Sequence, residues 1–300
     1  MRAIVTGGAG FIGSHLVDAL VARGERVIVI DNLRRGRKEF IAQHLERGAC
    51  DFIEGDIRDR SLLLDALAPG DVVYHLAAQS NVLGAMQDGE YSFTTNVTGT
   101  HNVLAAAVDR RVGRVVFTSS REIYGDPVRL PANESDPLRP KNPYGASKAA
   151  GEAYCSAFRA SFGLEVAVLR LANVYGPRDR DRVIPRWLEF AQQGEALPVY
   201  GGDQVLDFVP IGIAVQALLR AAGGAGVGGP TNVGSGKGTS ILELARRIVA
   251  ETNLGSRVDL QPANACEVVR FVADVGRMRS QLGIEPPEDP LVDLRAMVRS

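Results

Sequence analysis

"IVTGGAGFIGSHLVDAL", residues 4–20, passes from a short β-branched run through a glycine-rich turn into an amphipathic stretch. It reads as strand, tight turn and helix, with Gly7, Gly8, Gly10 and Gly13 where the chain reverses. Gly8, Gly10 and Gly13 match GxGxxG, while Gly7, Gly10 and Gly13 match a GxxGxxG spacing. Glycines so placed let the backbone approach a pyrophosphate at a helix N-terminus, whose free N–H groups and dipole stabilise the anion. Alone, the pattern is equally compatible with a glycine turn that binds nothing.

Context decides. "RVIVI" (26–30) is a second strand that runs into Asp31, about where an acidic residue receives the adenosine ribose hydroxyls. Arg34, Arg35 and Arg37 follow and would attract an added phosphate, but Asp31 repels it at shorter range. The expected cofactor is therefore NAD rather than NADP. Asp56 and Ile57 are placed to reach the adenine.

The same rhythm continues outward. "CDFIEGD" (50–56), "DVVYHLA" (71–77) and "RVVFTSS" (114–120) read as buried strands, separated by helical patterns at 12–23, 61–67 and 92–109. A helix at 144–160 leads into the strand "EVAVLRLA" (165–172). Strand alternating with helix predicts an α/β chain with a Rossmann-type doubly wound parallel sheet. Residues 1–172 are read as the cofactor-binding domain. Residues 173–300 are read as a smaller, irregular α/β substrate-binding domain, some of whose segments return to the first. Within it, 184–193 and 240–251 read as helices and "AAGGAGVGGPTNVGSGKG" (221–238) as a glycine-rich connection.

Composition excludes other classes. Hydrophobic residues make up 45% of the chain, and 34 Lys+Arg face 35 Asp+Glu, so no extended nucleic-acid or membrane-binding surface is expected. Cys50, Cys155 and Cys266 are few, distant and odd in number, which argues against a disulfide framework and fits a reducing cytosol. No signal-peptide core and no bilayer-spanning apolar run are read, so a cytoplasmic protein is expected. His15, His44, His75 and His101 lack metal-ligand spacing, and no metal is expected.

"TGGAGFIG", "HLAA" (75–78), "TSSREIYG" (118–125), "NPYGASK" (142–148) and "RLANVYGPR" (170–178) together resemble the extended short-chain dehydrogenase/reductase superfamily. Within it the chain is most similar to the NAD-dependent nucleotide-sugar epimerases and dehydratases typified by UDP-glucose 4-epimerase. The resemblance implies a UDP-sugar substrate, a homodimer, and a cofactor set that adds Phe11, Ile12, Ala77, Ala78 and Lys148 to the residues above. Tyr144 and Lys148 match the family's YxxxK pair, whose spacing puts both side chains on one helix face. A neighbouring ammonium and a positive nicotinamide ring would favour the phenolate of Tyr144 as general base. By resemblance Ser120 shares its proton path, Asn173 binds the diphosphate, and Val183, Val199 and Tyr200 join the substrate site.

Glu122 divides the possible reactions. The related dehydratases carry an Asp-Glu pair where this chain has Arg121 and Glu122, and arginine is no proton donor at physiological pH. UDP-glucuronate decarboxylases place a glutamate at the Glu122 position, so that reaction stays open beside 4-epimerisation. The plainer expectation is that Glu122 pairs with an arginine and shapes the pocket wall. A catalytically dead NAD-binding regulator ranks lower, since Ser120, Tyr144 and Lys148 are all present. Leu206 and Asn264 stand where the family keeps diphosphate arginines, while Arg178, Arg180, Arg182 and Arg186 crowd the loop after Asn173. Arg182 is expected on the diphosphate and Arg180 on a hexuronate carboxylate. Ala105, Ala106, Ala107, Ala149 and Ala150 suggest close helix packing in a dimer, or packing on the sheet.

Overall fold

The computed structural model describes residues 2–180, 182–226, 228–262 and 270–298. The short β-branched runs become strands β1 (Arg2–Thr6), β2 (Arg26–Asp31), β3 (Cys50–Glu54), β4 (Val72–His75), β5 (Arg114–Ser120) and β6 (Val166–Leu171). A seventh strand, β7 (Pro230–Val233), joins them in the order β7-β6-β5-β4-β1-β2-β3. Every neighbouring pair is parallel. Ile4 lies opposite Ile28 and Val73, which sets β1 between β2 and β4, where the strand order reverses. Ligands bind outside the carboxyl ends of the strands at such a reversal.

Both faces of the sheet are covered, which is why its strands read as continuous apolar runs rather than alternating ones. Helices α1 (Phe11–Ala22) and α5 (Ile211–Ala222) bury Leu16, Val17, Leu20, Ala214 and Leu218 against Val5, Val29 and Leu169 on one face. On the other, α2 (Arg60–Ala66), α3 (Thr100–Asp109) and α4 (Pro143–Phe162) bury Leu63, Leu104, Cys155 and Phe158 against Ile4, Ile30 and Val115. Each such aliphatic burial contributes about 1.5–3 kcal/mol. A third, separate core holds Trp187, Leu188, Leu244, Ile248, Leu291 and Leu294. It belongs to the lobe built on Val183–Gln192, Ile241–Thr252 and the parallel pair Leu197–Tyr200 and Val258–Gln261.

Three local expectations change. The glycine-rich connection at 221–238 contains β7, a four-residue edge strand that begins at a proline. Proline is tolerated there because an edge leaves one side of the ladder unpaired. The single helix read at 92–109 is Gly89–Phe93, then a widened π turn over Thr94–Gly99, then α3. The turn directs Asn96 into the loop after β4, where its Oδ1 accepts from Gln79 N (2.7 Å) and its Nδ2 donates to Ser147 Oγ (2.9 Å). Ala106 and Ala107 pack fully buried on the sheet rather than on an outer helix face. The outer face of this region instead carries Phe93, Tyr154 and Phe162, each well exposed. No helix among the described residues is long and apolar enough to cross a membrane.

Candidate active site

The strand ends converge on one cavity of about 700 Å³, lined at one end by the glycine loop and at the other by the second lobe. Gly7, Gly10, Phe11, Ile12, Gly13, Asp31, Asn32, Asp56, Ile57, Ala77, Ala78 and Lys148 all face it, so every residue expected to bind the cofactor lies there. Gly7 has φ 74°, and a Cβ on Gly13 would lie 2.1 Å from the Gly7 carbonyl oxygen. The turn therefore closes only on glycine. A Cβ on Gly10 would press on that same oxygen at 3.2 Å and meet no other atom within 4 Å, so the rest of this face is open to a phosphate.

Asp31, buried at the end of β2, accepts from Ala9 N (3.0 Å) and Leu33 N (2.9 Å) through different oxygens. Burial raises its pKa against these two hydrogen bonds. Each oxygen keeps a second lone pair for a ribose hydroxyl. Asp56 takes Asn32 Nδ2 (2.9 Å) and a bidentate Arg58 (2.9 and 2.8 Å). Burial pushes its pKa up, but these hydrogen bonds prevail and hold it at about 2. Arg34 stacks on the Tyr91 ring at 3.7 Å and pairs with Asp88, so it is engaged at this rim.

At the reacting end, Ser120 closes β5 and Asn142 caps α4, accepting from Gly145 N (2.8 Å). The cap starts the helix so that Tyr144 and Lys148 face the cavity one turn apart. The Ser120 hydroxyl accepts from Glu122 N (3.2 Å) and lines the cavity with the Tyr144 phenol. Lys148 is buried, donates to the Thr118 carbonyl (2.9 Å), and is held by burial at a pKa of about 8. Burial raises the pKa of the Tyr144 phenol, and the cations that oppose this are Arg182 and Arg121. Lys148 instead turns its ammonium toward the strand end.

Glu122 is buried, and each of its oxygens has a partner. Arg121 Nη2 sits 2.9 Å from its Oε1, and Asn142 Nδ2 donates to its Oε2 at 2.8 Å. The pairing that the sequence made the plainer expectation is thus the observed one. Arg121 Nε also donates to Asn173 Oδ1 (3.2 Å), while Asn173 Nδ2 donates to the Asp207 carbonyl (3.1 Å).

The arginine loop divides. Arg178 pairs with Asp18 of α1 (2.8 Å), and His15 Nε2 donates to the Pro177 carbonyl (2.8 Å), which fastens the loop to the glycine-loop helix. Arg182 donates to the Val174 carbonyl (3.1 Å) and lies 5.5 Å over the Phe11 ring. Arg180 and Arg186 are on the cavity wall. Val183, Tyr200 and Leu206 also face the cavity, whereas Val199 is fully buried in the second lobe's core. Asn264, the other departure from the expected arginines, lies outside the described residues.

Residues 3–234 match the family model described as the NAD dependent epimerase/dehydratase family. The chain belongs to that family. It is 37% identical over 294 residues to a UDP-glucose 4-epimerase of Mycolicibacterium smegmatis, covering 95% of this chain and 94% of the relative. It is also 34% identical to UDP-glucuronic acid decarboxylase 4 of Arabidopsis thaliana, covering 95% of this chain and 65% of that one. The solved UDP-glucose 4-epimerase of Thermotoga maritima with UDP-glucose superposes with a TM-score of 0.93 at 32% identity, covering 100% of this chain and 98% of that structure.

NAD is accordingly the cofactor of this epimerase/dehydratase chain, and the open face at Gly10 together with the spare lone pairs of Asp31 fits it. Replacing Asp31 with Ala should narrow the preference for NAD over NADP. It should also weaken NAD binding about tenfold or more, since Ala9 and Leu33 lose their acceptor and the ribose loses its own. Titration of both cofactors checks this, and equal affinity of the unaltered protein for the two would refute the assignment. Two residues of the site carry no binding or catalytic role in the motif reading. Asn142 is one, although an Asn before Pro-Tyr is a helix-capping signal. Arg121 is the other, since the motif comparison shows there only the loss of an acid.

Proposed function

We propose that this chain is an NAD-dependent UDP-sugar 4-epimerase, acting on UDP-glucose/UDP-galactose or on UDP-glucuronate/UDP-galacturonate. The observation that carries the choice is the engagement of Glu122 by Arg121 and Asn142 beside an intact Ser120, Tyr144 and Lys148. A carboxylate bonded on both oxygens is poorly placed to act as the acid or base of an elimination, whereas 4-epimerisation needs only one proton acceptor. Bound NAD supplies a hydride acceptor that returns the hydride after the sugar has turned.

The chain's own residues do the rest. Ser120 orients the sugar 4-hydroxyl, and Tyr144 takes its proton as C4 becomes a ketone. Lys148 holds the nicotinamide ribose. Asn173 and Arg182 bind the diphosphate, and Arg180 meets the sugar, with Val183 and Tyr200 completing the wall. The 4-keto sugar turns over in the cavity, and Tyr144 gives the proton back to the 4-oxygen as the centre is restored with inverted configuration.

Incubation with NAD and each UDP-sugar, followed by product analysis, tests this reading. A 4-epimer supports it. Carbon dioxide and a UDP-pentose from UDP-glucuronate would instead assign the decarboxylase reaction. Glu122→Gln should leave epimerisation measurable, and complete loss would give Glu122 a direct acid–base role. Arg182→Ala should raise KM for both classes of sugar, because both carry the diphosphate. Arg180→Ala should penalise UDP-glucuronate alone, and an equal effect on UDP-glucose would remove the carboxylate role. The exposed Phe93, Tyr154 and Phe162 support a homodimer formed through that face, which light scattering of the purified protein checks.

A further inference from the structure

Arg121 has no assigned task, yet it stands at the centre of the site. It follows Ser120 on the turn after β5, lines the cavity, and is 13% exposed. Its Nη2 pairs with Glu122, its Nε donates to Asn173, and its Nη1 is buried with no hydrogen-bond acceptor among the described residues. A buried N–H without an acceptor costs about 1–3 kcal/mol, and at Arg121 it lies on the cavity wall. Its two polar contacts run to Glu122 and Asn173, and its guanidinium lies 5.8 Å from the centre of the Phe271 ring. Asn173 Oδ1 is spoken for by Arg121 and one Nδ2 hydrogen by Asp207, so the amide can rotate only by breaking both bonds.

We infer that Arg121 is a positioning residue, one guanidinium that orients Asn173 toward the substrate's diphosphate and places a positive charge beside the Tyr144 phenol. This rests on the epimerase reading. The charged groups around that phenol come from three elements. Arg121 and Glu122 lie on the turn after β5, Arg182 on the loop before the second lobe, and Lys148 on α4 itself with its ammonium at the Thr118 carbonyl. Arg121 and Arg182 favour the phenolate and Glu122 disfavours it. The two members of the ion pair therefore act on Tyr144 with opposite signs, and only Arg121 reaches Asn173.

Three variants separate these roles: Arg121→Lys, Glu122→Gln, and the double Arg121→Gln/Glu122→Gln. The double variant leaves no uncompensated buried carboxylate, so loss of folding does not confound it. Compared with Glu122→Gln, it lacks only the Arg121 charge and its bond to Asn173. Its rise of kcat with pH should therefore lie at higher pH, and its Kd for UDP, measured by calorimetry, should be about fivefold weaker. Arg121→Lys keeps the charge but not the fork, so its pH limb should match the parent while UDP binding weakens to a similar degree. Coincident pH limbs in Glu122→Gln and the double variant, or unchanged UDP binding in both Arg121 variants, would overturn the inference. An unaltered protein that neither binds UDP nor interconverts 4-epimers overturns the epimerase reading and this inference with it. One that does both while the variants match it overturns this inference alone.

Discussion

Tyr144→Phe should lower turnover by about 10²–10⁴-fold, the usual contribution of a general base. The substitution removes one oxygen and little else. Ser120 keeps its hydrogen bond from Glu122 N, and Lys148 keeps the Thr118 carbonyl. NAD and UDP binding should consequently be almost unchanged, which distinguishes loss of chemistry from loss of the site. The direction of the pH dependence follows from the phenol's surroundings. Burial raises its pKa, so in the unaltered protein turnover should climb with pH as the phenolate becomes populated. That limb should vanish from any residual activity of Tyr144→Phe. Near-normal turnover in the variant, with the limb intact, would move the base to another residue.

Asp207→Ala should have the largest effect on stability. The Asp207 carboxylate is fully buried and accepts from Ser235 N (2.7 Å), Ser235 Oγ (2.6 Å), Gly236 N (3.1 Å) and Ala273 N (3.0 Å). Its backbone carbonyl receives Asn173 N (2.9 Å), so one residue ties the loop after β7 to the segment that follows β6. Removing the carboxylate leaves three backbone N–H groups buried without an acceptor, each costing about 1–3 kcal/mol. The expected loss is about 4 kcal/mol or more, read as a lower urea midpoint at unchanged slope. A change below about 1 kcal/mol would mean that water replaces the carboxylate.

Much of this is legible in the amino-acid sequence, for identifiable reasons. The glycine loop can be read because close backbone contact excludes every other residue at Gly13, and a steric exclusion leaves its mark in the sequence. The sheet can be read because strands covered on both faces must be apolar throughout. The Tyr144 and Lys148 pair can be read because helical spacing is a local property. For the loop and the pair the determining interaction lies within a few residues of the letters that record it, and for the sheet every strand carries the mark of its cover.

Features set by partners far along the chain do not show in this way. β7 is only four residues long and becomes a strand through β6, with Asn232 opposite Arg170. The π turn at Thr94–Gly99 exists because Asn96 meets Gln79 and Ser147, 17 and 51 residues away. Ala106 and Ala107 are small for the sheet beneath them, and their pattern alone cannot distinguish that surface from a second subunit. The state of Glu122 belongs to the same class. A glutamate after two serines is compatible with elimination, decarboxylation or a passive wall. Arg121 beside it and Asn142 at the head of α4 take up both oxygens. The order of residues alone dictates the doubly wound sheet, the glycine loop and the pairing of Tyr144 with Lys148 on one helix face, because sterics and periodicity act locally. The surroundings of the glutamate and the phenol are settled only in the folded chain, because charge and burial at a site are sums over groups that the fold, not the chain order, brings together.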